Sequence, residues 1–314
     1  MADQPNPVLL DRELAKASVR QYLTDALELT VEVVNYGSNL VVRCIQTSER
    51  TLVEVVAVGA FVKHVVAALD AIQILASEAA ALAGKLQART LLEASLCGEW
   101  ILRDDSEKRA AAFYVWTLRR RRAWSRAIIP RTPEQVRLRT SLGDLYRDHA
   151  AEHPEVVAVA ESEVSQIDEF LRRPKFAELD AYFSKERGTR SFDVPWYRPL
   201  GLQSVRAIAA AVGRLAEYDV FYSQDSDVVH ASSLRSHLKI SEGVAILEPI
   251  RGLSGLSGTL SRSLSMAFRT YRYTLERYRP DEVEAYSRLY REEWKARFLG
   301  IPQVDTELLP RRTT

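Results

Sequence analysis

The sequence contains little cysteine, glycine or proline, and neither sign of charge dominates. Only 2 of its 314 residues are cysteine, which is too few for a disulfide framework or a four-cysteine zinc site. The 13 glycines and 12 prolines are fewer than a loop-rich or all-β fold needs, so they favour helices. Because the formal net charge is only +1, we expect any nucleic-acid site to be a local patch.

Targeting signals and long uncharged apolar runs are also missing. The first 30 residues carry five acidic side chains, unlike a secretory signal peptide. The most apolar stretch, Val53 to Leu82, is interrupted by charged residues that a membrane-spanning helix tolerates poorly. We therefore expect a soluble, cytoplasmic protein without a membrane partner.

The common cofactor and nucleophile motifs are absent as well. The chain has no Gly-rich phosphate loop ending in Gly-Lys-Ser/Thr, no dinucleotide fingerprint and no Gly-x-Ser-x-Gly elbow. These absences argue against a nucleotide-driven motor, a nicotinamide enzyme and an α/β-hydrolase. We expect neither a cofactor nor a metal.

Apolar residues recur three and four apart along most of the chain, which predicts an all-α fold. We expect a compact bundle of about ten helices in a single unit, with segments 1–83, 84–237 and 238–314. A break is expected at Asn35–Asn39 in the first helix, and a helix from Pro133 to about Glu152 is expected after Thr132 as N-cap. The stretch 188–201 reads as an aromatic-anchored loop, and Val244–Leu247 as an extended segment.

Two of the predicted helices carry polar residues at helical spacing. Arg89 and Glu93 are four apart, so they lie one turn apart on nearly one face. A second stripe also has spacing four, and it consists of Tyr218, Tyr222, Ser226 and His230. Both helices are otherwise apolar, and buried polar groups need partners. We therefore predict that Arg89 and Glu93 face Ser226 and His230 across a helix pair.

The segments Arg-Thr-Leu-Leu-Glu-Ala and Tyr-x-x-x-Ser-x-x-x-His-Ala-Ser resemble an uncharacterised bacterial all-helical family of unknown function. The resemblance covers roughly Leu82 to Ser233 and implies that these residues share a polar centre. The arrangement is also similar in spirit to the HEPN group of helical ribonucleases, in which Arg and His act on RNA without a metal. This second resemblance implies RNA as the substrate class.

The leading hypothesis is a metal-independent ribonuclease-like effector of a bacterial defence or toxin system. His230 would be the acid and base, Arg89 the phosphate clamp, and Glu93 the group that orients them. Tyr222 and Ser226 would be supporting donors. The alternative is a non-enzymatic helical interaction protein in which the same residues form a structural polar network.

A basic stretch is the candidate RNA-binding surface. Between Trp116 and Arg139 the chain carries eight arginines and one acidic residue. The arginines assigned to nucleic acid are Arg119, Arg120, Arg122 and Arg126. Trp116 precedes these arginines and Trp124 lies among them, and both are able to stack on bases or on arginine planes. The alternative is that these arginines pair with acidic segments of the protein or are simply solvated.

Two further motifs carry alternative interpretations. His149-Ala-Ala-Glu152-His153 matches the His-x-x-Glu-His pattern of inverted zinc peptidases, although a charged helix end before Pro154 explains it as well. Tyr286, Tyr290 and Trp294 have spacing four on the last helix. They predict a packing stripe, either against the bundle or against a second protomer in a homodimer.

Overall fold

A computed structural model describes residues 5–146, 153–188, 190, 193–229, 237–241 and 244–304. The described residues are almost entirely helical, which confirms the all-α prediction. They form two compact units, which we name the core unit (Met1–Asp104 with Val205–Thr314) and the inserted unit (Asp105–Ser204). These boundaries differ from the single unit with divisions after residues 83 and 237 that was drawn from the sequence.

The elements follow one another as helices with one β-hairpin before the last long helix. In chain order the helices are α1 (Arg12–Thr47), α2 (Leu52–Ser77), α3 (Ala81–Leu102), α4 (Ser106–Ile128), α5 (Pro133–Leu142), α6 (Pro154–Leu171), α7 (Pro174–Arg187), α8 (Val205–Ala211), α9 (Leu215–Val229), α10 (Leu256–Tyr278), α11 (Val283–Leu289) and α12 (Lys295–Leu299). Val55–Val62 of α2 and the turn Tyr290–Trp294 between α11 and α12 are π-helical. Strands β1 (Leu238–Ser241) and β2 (Val244–Leu247) pair antiparallel, and β2 coincides with the segment predicted to be extended.

Helix α3 is the centre of the core unit. It packs against α2, α9 and α10, and its residues from Ala94 to Leu102 are all buried. Leu91, Leu96 and Ile101 are fully enclosed. Because Ser95 and Glu99 of α3 are buried, their polar side chains have to meet partners inside the unit.

Helix α1 runs without interruption through Asn35–Asn39, so the break predicted there is wrong. Gly37 lies where side chains of other helices pack closely against α1, and it does not form a turn. A Cβ atom at Gly37 would lie 2.1 Å from the hydroxyl oxygen of Tyr271 and 2.8 Å from a methyl group of Val66. Ser38 and Asn39 donate hydrogen bonds to the carbonyl oxygen of Asn35, which accommodates their polar side chains within the helix.

Helix α5 begins as predicted but ends early. The hydroxyl of Thr132 accepts a hydrogen bond from the backbone of Gln135, and Pro133 occupies the first turn. The helix ends at Leu142 instead of near Glu152, because Gly143 has a φ of 51°, a left-handed conformation that stops a helix.

Helix α2 is the one described helix that is long and apolar enough to cross a membrane. Its most apolar window has a mean hydropathy of 2.0, and 56 % of that window is buried inside the protein. The buried core helix of a soluble protein passes the same test. The cytoplasmic location therefore stays a prediction.

The C-terminal aromatic stripe packs within the core unit. Tyr286 and Trp294 are buried beside Tyr36 of α1. The hydroxyl of Tyr286 donates to the carbonyl oxygen of Phe268 at 2.8 Å, and the indole of Trp294 donates to Glu32 at 3.3 Å. The ring of Tyr290 contacts that of Phe268, with centroids 5.1 Å apart, so all three residues of the stripe are engaged in packing within the chain. The homodimer stays a prediction.

Helix α4 is the centre of the inserted unit and packs against α5, α6 and α7. Phe170 of α6 stacks on Phe176 of α7 with ring centroids 4.5 Å apart. Trp196 is buried, with its ring edge-on to Phe113 of α4. The described part of the loop 188–201 is thus anchored by an aromatic residue, as predicted.

Candidate functional site

Helices α3 and α9 bring Arg89 and Tyr222 together. Arg89 donates from Nε to Glu93 Oε1 at 3.3 Å and from Nη2 to the Tyr222 hydroxyl at 2.5 Å. Its guanidinium carbon also lies 4.3 Å from the centroid of the Tyr222 ring, within the range of a cation–π contact. The guanidinium is therefore held from two sides, by a carboxylate one turn away and by a phenol across the helix pair.

Tyr218, which belongs to the predicted polar stripe but not to the predicted site residues, completes this group. Its ring stacks on Tyr222 with centroids 4.4 Å apart and planes 17° apart. Burial raises the pKa of Tyr218, and the hydrogen bond with Tyr222 and the negative charge of Glu93 raise it further. Tyr218 is therefore a neutral phenol at physiological pH. We name Arg89, Glu93, Tyr218 and Tyr222 the α3–α9 polar centre.

The α3–α9 polar centre is neither sealed nor fully open. The side chains of Arg89 and Glu93 are 16 % and 37 % exposed. The guanidinium places a positive charge in a partly desolvated setting, where charge-assisted hydrogen bonds are strong. The arrangement is chemically suited to hold a phosphate or carboxylate group.

The remaining two predicted site residues are not described. The backbone of α9 continues to Val229, but the side chain of Ser226 and all of His230 lie outside the described residues. Their assignment as donor and acid–base group stays a prediction.

A second polar cluster in the core unit centres on Glu99, which the sequence analysis missed. Glu99 is 4 % exposed. Its carboxylate accepts hydrogen bonds from Arg103 at 2.6 Å, from Arg214 at 3.2 Å and from Arg269 at 3.1 Å through each oxygen. Arg214 also donates to both oxygens of Glu217 and to Ser95. We name Glu99, Arg103, Arg214, Glu217 and Arg269 the Glu99 cluster.

The arginines of the Glu99 cluster keep the carboxylate of Glu99 ionised. Burial raises the pKa of Glu99, but the hydrogen bond from Arg269 and the charges of Arg214, Arg269 and Arg103 more than offset burial and lower the pKa overall. One signal was present in the sequence, because Ser95, Glu99 and Arg103 also have spacing four on α3. The partners Arg214 and Arg269 come from distant parts of the chain, and no spacing rule identifies them.

In the inserted unit, Arg119 is buried within the fold. Its side chain is 2 % exposed and hydrogen-bonds through all three guanidinium nitrogens. Asp193 accepts from Nε at 2.7 Å and from Nη2 at 2.9 Å, while Asp180 and Ser184 accept from Nη1. This geometry corrects the sequence interpretation of Arg119 as an RNA-facing residue, because its donors are already engaged inside the unit.

The other arginines of the basic stretch divide between the fold and the surface. Arg122 pairs with Asp168 at 2.6 Å, and Arg126 lies 3.4 Å from the other oxygen of the same carboxylate. Arg121 pairs with Glu163 but keeps a mostly exposed side chain. The guanidinium of Arg120 lies over the ring of Trp116, 4.6 Å from its centroid. The interpretation in which arginines pair with acidic segments therefore holds for Arg119, Arg121, Arg122 and Arg126, while Arg120 remains at the surface without a carboxylate partner among the described residues.

The described structure contains only His153 of the zinc-peptidase motif, so that alternative stays untested. His149 and Glu152 lie outside the described residues. His153 is exposed, with Nδ1 3.2 Å from a carboxylate oxygen of Glu155. Across the ranges that the structure describes, no three His, Cys, Asp or Glu side chains are grouped to hold a metal ion.

The fold and the site define an all-helical protein whose central helix pair carries an arginine, a glutamate and two stacked tyrosines. The chain belongs to the family of unknown function DUF5677, which matches residues 55–245. That range contains the α3–α9 polar centre together with Ser226 and His230, so the resemblance drawn from the two motifs is confirmed. No curated protein and no solved structure matches the chain.

Proposed function

We propose that the protein is a metal-independent ribonuclease-like effector of a bacterial defence or toxin system, with its reaction centre at the α3–α9 polar centre. The observation that carries the proposal is the placement of Arg89. A partly exposed guanidinium held by Glu93 and Tyr222 is pre-organised to bind a phosphodiester oxygen and the charge that develops on it. The similarity to HEPN ribonucleases remains an expectation from the sequence alone.

The proposed reaction is transesterification of RNA. His230 accepts the proton of a ribose 2′-hydroxyl while that oxygen forms a bond to the adjacent phosphorus. The bond from phosphorus to the 5′-oxygen breaks, and the imidazolium returns its proton to that oxygen. The products are a 2′,3′-cyclic phosphate and a free 5′-hydroxyl. Arg89 stabilises the negative charge on the non-bridging oxygens, and Tyr222 is a further donor.

The test is RNA cleavage by the His230→Ala variant in the presence of EDTA. We expect the wild-type protein to cleave single-stranded RNA and to leave an oligonucleotide of the same sequence with 2′-O-methyl groups intact. We expect His230→Ala to lose at least a hundredfold in rate, because general acid–base catalysis contributes about 10²–10⁴-fold. His237→Ala is the matched control, since His237 is exposed beside β1. Equal rates in wild type and His230→Ala would remove the mechanism.

The second candidate is a non-enzymatic interaction protein, and the burial of Arg119 and Arg214 favours it. Both are enclosed by carboxylates of their own unit, which shows that this chain uses arginine to join helices. Arg89 would then be a third such residue. In that case Arg89→Ala would lower the unfolding midpoint as strongly as Arg214→Ala, whereas a functional arginine is replaced with little loss of stability.

A further inference from the structure

A groove on the inserted unit combines exposed tryptophan with arginine. It has a volume of about 480 Å³ and lies along α4 where α6 packs against it. The residues that matter for its chemistry are Trp116, Arg120, Arg121, Trp124, Ile128 and Glu163. All of them belong to the inserted unit, so the groove is complete within it.

The aromatic residues of this groove are placed as a stacking surface. Trp116, Arg120 and Trp124 follow one another at spacing four, so each is one turn and about 6 Å further along α4. Trp124 is 67 % exposed, which is unusual for a side chain whose burial would be favourable. The Arg120 guanidinium covers Trp116, and it presents a flat cationic face next to the open indole of Trp124.

The charge around the groove is positive on the solvent side. Within the described ranges, Arg120 is the member of the run 119–122 that has no carboxylate partner. Arg121 is 66 % exposed, and Glu163 holds it at the rim of the groove. The hydrogen bond from Ser125 lowers the pKa of Glu163, and the charge of Arg121 lowers it as well. Glu163 is thus an ionised carboxylate that positions Arg121 and opposes an anion at the same time.

We propose that this groove binds single-stranded RNA, with unpaired bases stacked on Trp124 and on the Arg120 guanidinium that covers Trp116, and the phosphates on Arg120 and Arg121. Stacking needs bases with a free face, which a duplex does not offer at its sides. The proposal rests on the proposed function for the choice of RNA as the polyanion, but the binding needs no residue of the α3–α9 polar centre.

The test is a fluorescence titration of the full-length His230→Ala protein, which removes cleavage from the measurement. The probes are a 12-nucleotide single-stranded RNA, the same RNA as a duplex, and inorganic polyphosphate. We expect the single strand to quench the tryptophan emission and to bind at least tenfold more tightly than the duplex or polyphosphate. Equal affinity for the three probes would overturn the stacking surface and leave only non-specific attraction of charge.

Substitutions of groove residues test whether the RNA binds in the groove. We expect Trp124→Ala to weaken the single strand about tenfold and Arg120→Gln to weaken it several-fold, because stacking and phosphate contact are lost. Glu163→Gln should strengthen binding, since it removes the opposing charge. Arg206→Gln is the control, because Arg206 is an exposed arginine of the core unit paired with Asp219. Unchanged affinity in Trp124→Ala would overturn the proposal, whereas binding without cleavage in the wild type would overturn only the ribonuclease.

Discussion

Two adjacent arginines of α4 lie in opposite environments. Arg119 points into the inserted unit and is bound by Asp180 and Asp193, whereas Arg120 lies at the surface against Trp116. Burial lowers the pKa of Arg119, but the hydrogen bonds and charges of the two aspartates raise it overall, so the buried guanidinium stays charged. Two neighbouring arginines of one basic stretch therefore have different roles. Arg119 stabilises the fold of the inserted unit, whereas Arg120 is exposed to solvent.

This contrast predicts different effects for the same substitution. Arg119→Gln removes the cation that compensates two carboxylates, and we expect a loss of about 3–5 kcal/mol in the free energy of unfolding. Arg120→Gln should change it by about 0.5 kcal/mol or less. Chemical denaturation of both variants is the measurement. Equal stability of the two variants would show that the aspartate contacts do not hold the inserted unit together.

Glu99 allows a prediction about pH. Its pKa in the folded protein is lower than the ordinary value, so the stabilisation it provides is present above the ordinary glutamate pKa of about 4.3 and is lost as the pH falls through the lower folded value. We expect Glu99→Gln to lose about 3 kcal/mol of stability at pH 7. The difference from wild type should shrink steadily below pH ~4.

The control for this prediction is Glu276→Gln on α10, which removes an exposed carboxylate paired with Arg272. It should leave the pH dependence of unfolding close to that of the wild type. If the gap between Glu99→Gln and wild type stayed constant from pH 7 to pH 3, the guanidinium groups around Glu99 would not be what stabilises it.

At the scale of elements, close contact between α1 and α10 depends on one glycine. Gly37→Ala would place a methyl group against the Tyr271 hydroxyl and against Val66. We expect it to destabilise the protein by about 1–3 kcal/mol through overpacking. A Cβ atom added at Gly59 in α2 would have no neighbouring atom within 4 Å. Gly59→Ala should therefore be neutral or stabilising by up to about 1 kcal/mol, and thermal unfolding of the pair measures both effects.

Apolar spacing predicts individual helices but not the contacts between them. Helices were predictable wherever apolar spacing repeats, as in α3, and α5 was predictable from its Thr132 cap. The continuity of α1 was not, since the sequence gives no sign that Gly37 meets Tyr271 more than two hundred residues away. In the same way Arg89 and Tyr222 were recognisable as helix-spaced polar residues, while Arg214 and Arg269 gain their meaning only from the tertiary contact with Glu99.

At the scale of the whole molecule, each unit is stabilised by buried arginine–carboxylate clusters, and each has arginine exposed elsewhere. The core unit encloses Arg214 and leaves Arg89 partly open. The inserted unit encloses Arg119 and leaves Arg120 open. Net charge and composition do not distinguish enclosed arginines from exposed ones, because each arginine adds the same charge to the total charge of the chain. The proposed reaction and the proposed RNA groove use only the arginines that are partly or fully exposed.

The most direct measurement is the initial rate of RNA cleavage by Arg89→Gln, compared with Arg206→Gln as an exposed control. Arg89→Gln keeps a side chain of similar length that is able to hydrogen-bond but removes the charge. We predict a loss of about a hundredfold or more in cleavage rate, in line with the loss of one transition-state donor, with an unfolding midpoint near that of the wild type. A folded Arg89→Gln protein that cleaves RNA at the wild-type rate would contradict the assignment of the α3–α9 polar centre.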